Sequence, residues 1–388
     1  LMIEPDDIIY LDNNATTRID PVVLEEMLPF LAKYYGNPSS GYRFGAQVRS
    51  AIDLARERVA GLLGCTPGEI VFTSCGTEAS NTAIHSALQL DANRQHVVTT
   101  AVEHSATMRF CEEVARRGGG ATFVGVDSEG NLDHEAVEGA VAPETAVIST
   151  MWANNETGVL LDVEKIAEIA QEKRVLLHFD AVQAVGKLPM RANDLPVNFV
   201  SVSAHKLHGP KGVGALYVNR RTAFRPSLLG GGQEDGRRSG TENVASIVGF
   251  GKAAELALQH IDEQQTRVRA LRDKFEASLQ SQITDTFING AAAPRLPNTT
   301  SISFTGVDAS AALILLDQER ICCSAGSACR TGAHDASHVL RAMGLSEERM
   351  RGSVRFSVGR FNSETEMDRA VTTVARAVAR LRAMATAA

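Results

Sequence analysis

Several side chains with useful chemistry follow shortly after apolar runs that are typical of buried strands. An imidazole, an amide, a carboxylate and an amine each occupy such a position: His104, Asn155, Asp180 and Lys206. Ligands of open α/β sheets bind outside the carboxyl ends of the strands, so we expect these four groups to gather at one sheet edge. Together they offer an imine-forming amine, acid–base groups and a hydrogen-bonding amide.

A fifth motif, Cys75-Gly76-Thr77-Glu78, separates an apolar run from a helical pattern. Gly76 permits a close backbone approach, and Thr77 can cap the helix that follows. The free N–H groups of a helix N-terminus form an anion site. This motif therefore predicts a place for a negatively charged group.

Each of these residues has an ordinary structural explanation when it is considered alone. Thr77 and Asp180 can cap helices, and Asn155 can belong to an Asx turn. A single loop histidine such as His104 usually has no chemical role, and an isolated lysine such as Lys206 is usually a surface residue. The combination of residues, and not any one of them, carries the functional prediction.

Taken together, the residues supply what pyridoxal phosphate (PLP) requires: a lysine for a Schiff base, a carboxylate beside the pyridine nitrogen and a phosphate cradle. Lys206 and Asp180 would meet the first two needs. Thr77, Ser203 and His205 would join backbone N–H groups around the phosphate. An aspartate that keeps the pyridine nitrogen protonated makes the ring an electron sink.

The elements that must position these residues follow from the alternation of strand and helix patterns between residues 69 and 203. This alternation predicts an α/β fold with a mostly parallel sheet that is covered by helices on both faces. The run 212–218 follows the last strand closely, which favours antiparallel pairing. We saw no repeat and no low-complexity linker.

A long helical pattern over 244–279 precedes a smaller α+β region. We therefore predict a large cofactor-binding domain over 16–260. The smaller domain would comprise 261–388 together with the N-terminal segment 1–15.

The composition argues against several classes of protein. The 388 residues carry a formal net charge of −7, which lacks the basic footprint of nucleic-acid binding. No apolar run approaches the ~20 residues of a membrane span. The acidic start, with Glu4, Asp6 and Asp7, differs from a targeting peptide. Six cysteines without a C-x-x-C pair or zinc-ligand spacing indicate a reduced protein without a metal site, and we expect a cytoplasmic location.

The chain resembles the cysteine desulfurases of the NifS/IscS type, which are PLP enzymes of aminotransferase fold type I. The resemblance extends in order over nearly the whole chain, and the ordered set is much more specific than any single motif. Its segments are Tyr10–Thr17, Gly36–Ser40, Phe72–Glu78, Val102–His104, Ala153–Gly158, Asp180–Gln183, Ser203–Lys206, Gly240–Asn243, Gly326–Cys329, Ser337–Leu340 and Val354–Ser357.

The resemblance implies a role for each residue around the cofactor ring. Lys206 would form the Schiff base and move the substrate α-proton, while Asp180 would pair with the pyridinium nitrogen. His104 would stack on the ring and assist proton transfer. Gln183 would form a hydrogen bond with the phenolic oxygen.

The phosphate and substrate positions follow in the same way. Thr77, Ser203 and His205 would hold the phosphate beside Gly76, and Thr241 would reach the phosphate of the neighbouring subunit, which implies a homodimer. The substrate-binding residues implied by the family are Asn13, Asn155 and Arg355. A planar guanidinium suits bidentate binding of a carboxylate.

Cys329 would be the nucleophile, in a loop of small residues that can enter and leave the site. The implied reaction converts L-cysteine to L-alanine and leaves a persulfide on Cys329. Arg330 would favour the thiolate by its charge. The sulfur would pass to an iron–sulfur scaffold of the NifU/IscU type. Without the resemblance, Cys329 is an ordinary free loop cysteine.

The loop departs from the family pattern at several positions. Ala325 replaces a common serine, Arg330 replaces a usual threonine or serine, and the sequence after Gly332 also differs. Cys322 and Cys323 match no family role and are interpreted as packing residues. These differences affect the choice of sulfur acceptor more than the chemistry. The Met151–Asn155 stretch, the Cys75 motif and the helix 244–258 favour the nitrogenase-associated NifS branch.

Two alternatives remain. One is another PLP enzyme of this fold, such as a selenocysteine lyase or an aminotransferase; Cys329 in its glycine-rich loop disfavours the aminotransferase. The other is a non-catalytic sulfur-transfer protein or metal chaperone, which the lack of metal-ligand spacing disfavours.

Overall fold

The computed structural model describes residues 4, 7–325 and 337–386. The strands are β1 (Ile9–Tyr10), β2 (Ile70–Thr73), β3 (His96–Thr100), β4 (Gly120–Val124), β5 (Thr145–Met151), β6 (Leu176–Asp180), β7 (Phe199–Ser203), β8 (Gly214–Val218), β9 (Thr286–Ile288), β10 (Thr299–Phe304), β11 (Ile321–Cys322), β12 (Ser324–Ala325) and β13 (Ser353–Ser357). The helices are α1 (Pro21–Ala32), α2 (Arg43–Leu63), α3 (Gly76–Leu90), α4 (Ser105–Arg116), α5 (His134–Ala140), α6 (Val163–Lys173), α7 (Val244–Gln259), α8 (Ile261–Glu263), α9 (Arg269–Gln282), α10 (Ala309–Gln318), α11 (His338–Ala342), α12 (Glu347–Arg351) and α13 (Glu364–Thr386).

A seven-stranded sheet with the order β2-β8-β7-β6-β5-β3-β4 forms the centre of the molecule. The neighbours from β7 to β4 are parallel, and β8 runs antiparallel to both β2 and β7. The predicted mostly parallel sheet and the antiparallel strand within 212–218 are thus confirmed. The interstrand geometry places the carboxyl ends of β2, β3, β5, β6 and β7 along one edge.

Both faces of this sheet are buried, as its continuous apolar strands require. Phe72 and Val98 belong to one hydrophobic core, whereas their chain neighbours Val71 and Val97 belong to a second core. This alternation follows from the two-residue period of side chains along a strand. Helices therefore cover both faces and leave the carboxyl edge as the place for a site.

A second, four-stranded sheet with the order β12-β13-β10-β9 lies in the C-terminal part of the chain. Its core also contains Ile9 and Leu11 from the N-terminal segment. In contrast, Leu296 and Leu340 pack in the core of the large sheet. The division of the chain at residues 15 and 260 stays a prediction. None of the described helices is long and apolar enough to cross a membrane.

A buried histidine joins three strands in the middle of the large sheet. His178 is fully buried, and its two ring nitrogens lie 2.8 Å from the hydroxyls of Ser149 and Ser201. Burial lowers the pKa of His178 from 6.5 to about 3. The imidazole is therefore neutral in the folded protein at pH values where it would be charged in the unfolded chain.

We expect the free energy of unfolding to fall as the pH drops from 6.5 towards 3. In this range His178 binds a proton in the unfolded chain but stays neutral in the folded protein. One such group contributes about 1.4 kcal/mol for each pH unit in that range, and its full stabilisation is present above pH 6.5. Denaturant titrations at several pH values measure this slope. His178→Gln should have a shallower slope than the wild type, and equal slopes would contradict the prediction.

Candidate active site

A cavity of about 250 Å³ opens at the carboxyl edge of the large sheet. Its walls come from the residues that follow β2, β3, β5, β6 and β7 and from the first turn of α3. Most of the residues predicted for the site line it, namely Gly76, Thr77, His104, Asn155, Asp180, Gln183, Ser203, His205 and Lys206. The gathering of polar groups that we predicted from their positions after strands is therefore present in the fold.

Lys206 lies in a short 3₁₀ turn immediately after β7. Its Nζ donates hydrogen bonds to the backbone carbonyls of Asn14 at 2.5 Å and Ala15 at 2.8 Å. Burial lowers the pKa of Lys206 to about 8, and the positive charge of Arg355 acts in the same direction, against Asp12 and Asp180. A useful fraction of the amine is consequently unprotonated near neutral pH, as imine formation requires.

Asp180 ends β6 and is 8% exposed. One carboxylate oxygen accepts a hydrogen bond from the backbone N–H of Val182 at 3.0 Å. Burial raises the pKa of this carboxyl, whereas the charges of His104 and Lys206 oppose that rise. A buried carboxylate with a single backbone donor is costly, and a cationic N–H group in the cavity would offset that cost.

His104 is the N-cap residue of α4, and its Nδ1 accepts a hydrogen bond from the N–H of Ala106 at 3.1 Å. Burial lowers the pKa of His104, and Lys206 adds to this effect while Asp180 opposes it. The ring is therefore neutral, and its position beside the cavity suits stacking on a flat aromatic group.

The start of α3 forms the anion-binding end of the cavity. The N-cap residue is Cys75, whose side chain makes no capping hydrogen bond, so the first N–H groups of the helix remain available. A Cβ atom at Gly76 would lie 2.7 Å from Val182 Cγ2, so only glycine fits there.

A buried hydroxyl without a partner points to a ligand at this same end. The Oγ of Ser203 is buried and has no hydrogen-bond partner in the structure. His205 lies two positions further along the chain, and its Nδ1 is 3.1 Å from Thr16 Oγ1. Burial lowers the pKa of His205 to about 4. An orphaned buried hydroxyl beside a helix N-terminus fits a bound phosphate, which would accept the missing hydrogen bond.

The arrangement as a whole fits a flat phosphorylated ring. The anion end with Ser203 and the α3 N-terminus would hold the phosphate, Asp180 would face a ring nitrogen, and the amine of Lys206 would reach a carbonyl carbon. No group of three or more metal-ligand side chains occurs among the residues with described positions.

The sequence profile of the aminotransferase class-V family matches residues 9–370. The cysteine desulfurase of Nostoc sp. strain PCC 7120 is 48% identical over 377 residues, which cover 97% of this chain and 94% of that protein. The cysteine desulfurase NifS of Azotobacter vinelandii is 47% identical over 375 residues, or 96% and 93% of the two chains. The chain belongs to the cysteine desulfurases of the aminotransferase class-V family.

Solved structures agree with this membership. A NifS-like protein superposes with a TM-score of 0.89 at 37% identity, covering 96% of this chain and 100% of that one. A NifS-like protein from Rickettsia africae superposes with a TM-score of 0.85 at 32% identity, covering 95% and 99%. The fold expected from the resemblance is confirmed.

Arg355 of this desulfurase lies on β13 and is 5% exposed. Its guanidinium donates to the backbone carbonyl of Asn155 at 2.9 Å and to a carboxylate oxygen of Asp12 at 2.7 Å. Nε has no partner in the structure. The guanidinium is thus held beside Asn155, the other residue expected at the substrate carboxylate. Asp12 was not among the predicted site residues, although it stands within the motif Tyr10–Thr17.

Two other predicted residues do not line the cavity of the desulfurase. The side-chain amide of Asn13 donates to the backbone carbonyls of Tyr10 at 3.2 Å and Ser357 at 2.8 Å, so it connects the N-terminal segment to β13. Thr241 lines a separate cavity of about 180 Å³ together with Arg238 and Glu242. The role of Thr241 at a neighbouring subunit stays a prediction.

Gln183 lines the cavity, but its polar atoms contact protein groups. Its Nε2 donates to the carbonyl of Asn14 at 2.9 Å, and its Oε1 accepts from Lys187 Nζ at 3.1 Å. Neither Asn14 nor Lys187 was predicted from the sequence. Asn14 lies within the motif Tyr10–Thr17, whereas Lys187 had only its position after the Asp180–Gln183 motif as a signal. Cys329 and Arg330 lie outside the described residues.

Proposed function

We propose that this desulfurase uses PLP to convert L-cysteine to L-alanine and transfers the sulfur to Cys329. The carrying observation is the cavity in which the Lys206 amine, the Asp180 carboxylate and the partnerless Ser203 hydroxyl lie together. Amine, carboxylate and anion site are the three groups that PLP requires. PLP, when bound, supplies an electron sink that weakens the bonds at the substrate's α-carbon.

Side chains of the protein bind the substrate and transfer its α-proton. Arg355 and Asn155 bind the substrate carboxylate and orient the α-carbon, because a guanidinium beside an amide suits a planar anion. Lys206, with its pKa lowered to about 8, is suited to take up and return the α-proton. His104 lies beside the cavity with its pKa lowered by burial, and it assists this proton transfer.

Cys329 completes the reaction as the sulfur acceptor. Its thiolate attacks the substrate sulfur, so that a sulfur–sulfur bond forms while the bond between that sulfur and the β-carbon breaks. The electron pair of the broken bond remains on the carbon skeleton, which is protonated and leaves as alanine. The products are one alanine and one protein persulfide for each L-cysteine, and the equation needs no external oxidant.

The test is incubation of the purified protein with L-cysteine and a dithiol, with alanine and sulfide measured in parallel. We expect equal amounts of both products and a visible absorbance from bound PLP. A colourless protein without turnover would favour the non-catalytic sulfur-transfer alternative. A much higher turnover with L-selenocysteine than with L-cysteine would favour the selenocysteine lyase alternative.

We further propose that sulfur passes to a NifU- or IscU-type scaffold for iron–sulfur cluster assembly in the cytoplasm. Similarity to NifS from Azotobacter vinelandii supports a role connected with nitrogenase. The proposed chemistry supports this location, because persulfide transfer needs cysteines that stay reduced, as they do in the cytoplasm.

A homodimer is part of the same proposal, and an exposed apolar band supports it. The band consists of Leu24, Leu28 and Leu31, which lie three or four positions apart on α1, and Leu31 is 64% exposed. Contiguous apolar surface of this kind is typical of protein–protein interfaces. Thr241, in its separate cavity, would then reach the phosphate bound by the partner subunit.

We expect Leu31→Glu to shift the protein from dimer to monomer, because a buried carboxylate in an apolar interface costs several kcal/mol. Sedimentation velocity measures the shift, and PLP retention measures the loss of Thr241 from the neighbouring site. Leu258→Glu, at a 47% exposed position on α7, is the matched control and should leave both unchanged. A monomeric wild type, or a dimeric Leu31→Glu variant, would contradict the proposed interface.

A further inference from the structure

Lys187 is a buried amine to which the proposed mechanism gives no task. It is 5% exposed and lies in the turns that follow β6. Burial lowers its pKa to about 7, and the positive charges of Lys206 and Arg355 act in the same direction. No carboxylate pairs with it in the part of the chain that the structure describes. A buried amine without an ion-pair partner is costly, so its hydrogen bonds require an explanation.

Both hydrogen bonds of the Lys187 side chain go to one residue. Its Nζ donates to the backbone carbonyl of Gln183 at 2.9 Å and to the side-chain Oε1 of the same residue at 3.1 Å. In its ammonium form Lys187 donates and never accepts. In that form it requires the side-chain oxygen of Gln183 to face Lys187 and the NH₂ group to face the other way.

The opposite end of the Gln183 amide imposes the same orientation. There the NH₂ group donates to the carbonyl of Asn14 at 2.9 Å, and a backbone carbonyl only accepts. The same carbonyl accepts the 2.5 Å hydrogen bond from Lys206. A continuous series of hydrogen bonds thus runs from Lys187 through the Gln183 amide and the Asn14 carbonyl to Lys206, the amine expected to bind PLP.

A count of donors and acceptors shows what Gln183 has left. Its oxygen accepts from Lys187, and one N–H donates to Asn14. One N–H remains, and Gln183 lines the cavity beside Lys206. Because the oxygen is turned towards Lys187, the group that Gln183 presents on the opposite side is this remaining N–H, which is a donor.

We infer that Lys187 is a positioning residue that locks the Gln183 amide so that an N–H, and not the carbonyl, meets the ring oxygen of PLP. This inference rests on the proposed function, since it needs PLP in the cavity. Lys187 acts through Gln183 and does not touch the reacting atoms.

The test is a spectroscopic pH titration of the PLP-loaded enzyme. A donor to the ring oxygen stabilises its anionic form, which lowers the pH at which the visible absorbance changes. Lys187→Met should raise this midpoint by about one pH unit, the size that loss of one hydrogen bond produces. Gln183→Leu should raise it by a similar amount. The double variant should show no additional rise, because both substitutions remove the same interaction.

Two further variants separate positioning from packing. Lys187→Arg also only donates, and it should keep the midpoint close to that of the wild type. Lys165→Met removes an exposed lysine on α6 and serves as the matched control. Affinity of the cofactor-free protein for PLP gives a second readout, with about tenfold weaker binding expected for Lys187→Met.

Each outcome decides a different question. A shift in Gln183→Leu without one in Lys187→Met would overturn the inference and leave the proposed function intact. Equal shifts in Lys187→Met and Lys187→Arg would also overturn it, because volume and not donation would then be the cause. A wild type that binds no PLP would instead overturn the proposed function.

Neutron diffraction from the wild-type PLP-loaded enzyme tests the inference without any variant. Deuterium on the Gln183 atom that faces the cavity would support the locked orientation. Deuterium on the atom that faces Lys187 would overturn it.

Discussion

Lys206→Ala is expected to lose the covalent attachment of PLP and at least a thousandfold of desulfurase activity, since general acid–base catalysis alone contributes 10²–10⁴-fold. The variant removes the only amine that lines the cavity among the described residues. It also removes the group that is expected to carry the α-proton. Reduction of the loaded protein with borohydride, followed by peptide mass spectrometry, locates the attachment, and sulfide release measures activity.

The appropriate control is Lys211→Ala, because Lys211 lies five positions further along the chain and is exposed. It should bind PLP covalently and release sulfide at the wild-type rate. PLP attached to another lysine in wild-type protein, or normal sulfide release by Lys206→Ala, would rule out the assignment. Thermal unfolding of both variants excludes general misfolding as the cause of a loss.

The lowered pKa of Lys206 makes this prediction dependent on pH in a defined way. Imine formation needs the neutral amine, and at pH 7 a group with a pKa of about 8 is roughly one-tenth neutral. An ordinary lysine would be neutral in only about one molecule in 2,500. The rate of PLP attachment to the cofactor-free protein should therefore rise about tenfold per pH unit below pH 8 and level off above it.

The residues at the cavity were predictable because their positions depend on local patterns. An apolar run predicts a strand, and the residue after it lies at the carboxyl edge of a parallel sheet. This reasoning brings Asp180 and Lys206 together without knowledge of any contact between them. The antiparallel strand β8 was likewise predictable, since the ten residues that connect it to β7 are too few to hold a crossover helix.

The supporting contacts were not predictable, because they join residues far apart in the sequence. Lys206 and its acceptor Asn14 are separated by 192 positions, and Arg355 and Asp12 are separated by 343. The acceptor on Asn14 is a backbone carbonyl, which every residue possesses and no motif marks. The orientation of Gln183 depends on the burial of Lys187, and a lysine is more often exposed than buried.

The described residues on either side of positions 326–336 both contact neighbours of the proposed substrate-binding residues. Upstream, β12 pairs with β13, so that Ala325 lies opposite Val354, the neighbour of Arg355. Downstream, the hydroxyl of Ser337 donates to the carboxylate of Glu156, the neighbour of Asn155, at 2.5 Å. Residues 325 and 337, which flank the segment with Cys329 in the sequence, are therefore both held beside the substrate-binding residues.

Cys329→Ala should keep the visible absorbance of bound PLP and its change on addition of L-cysteine, yet lose sulfur transfer. The reason is that substrate binding and α-proton removal depend on residues of the cavity, whereas the attack on sulfur needs a thiolate that no alanine supplies. Mass spectrometry after one turnover should find one added sulfur atom on the wild type and none on the variant. Alanine and sulfide release should fall to background.

Cys323→Ala is the matched control for that experiment, and its expected behaviour follows from the environment of the thiol. Cys323 is half-buried, and burial, together with the negative charge of Asp12, raises the pKa of its thiol. A thiol that stays protonated is a poor nucleophile, so Cys323→Ala should release sulfide like the wild type. Normal sulfide release by Cys329→Ala combined with loss in Cys323→Ala would transfer the nucleophilic role to Cys323. Loss of visible absorbance in Cys329→Ala would instead show that this cysteine supports cofactor binding, a role that we expect the cavity residues to fill without it.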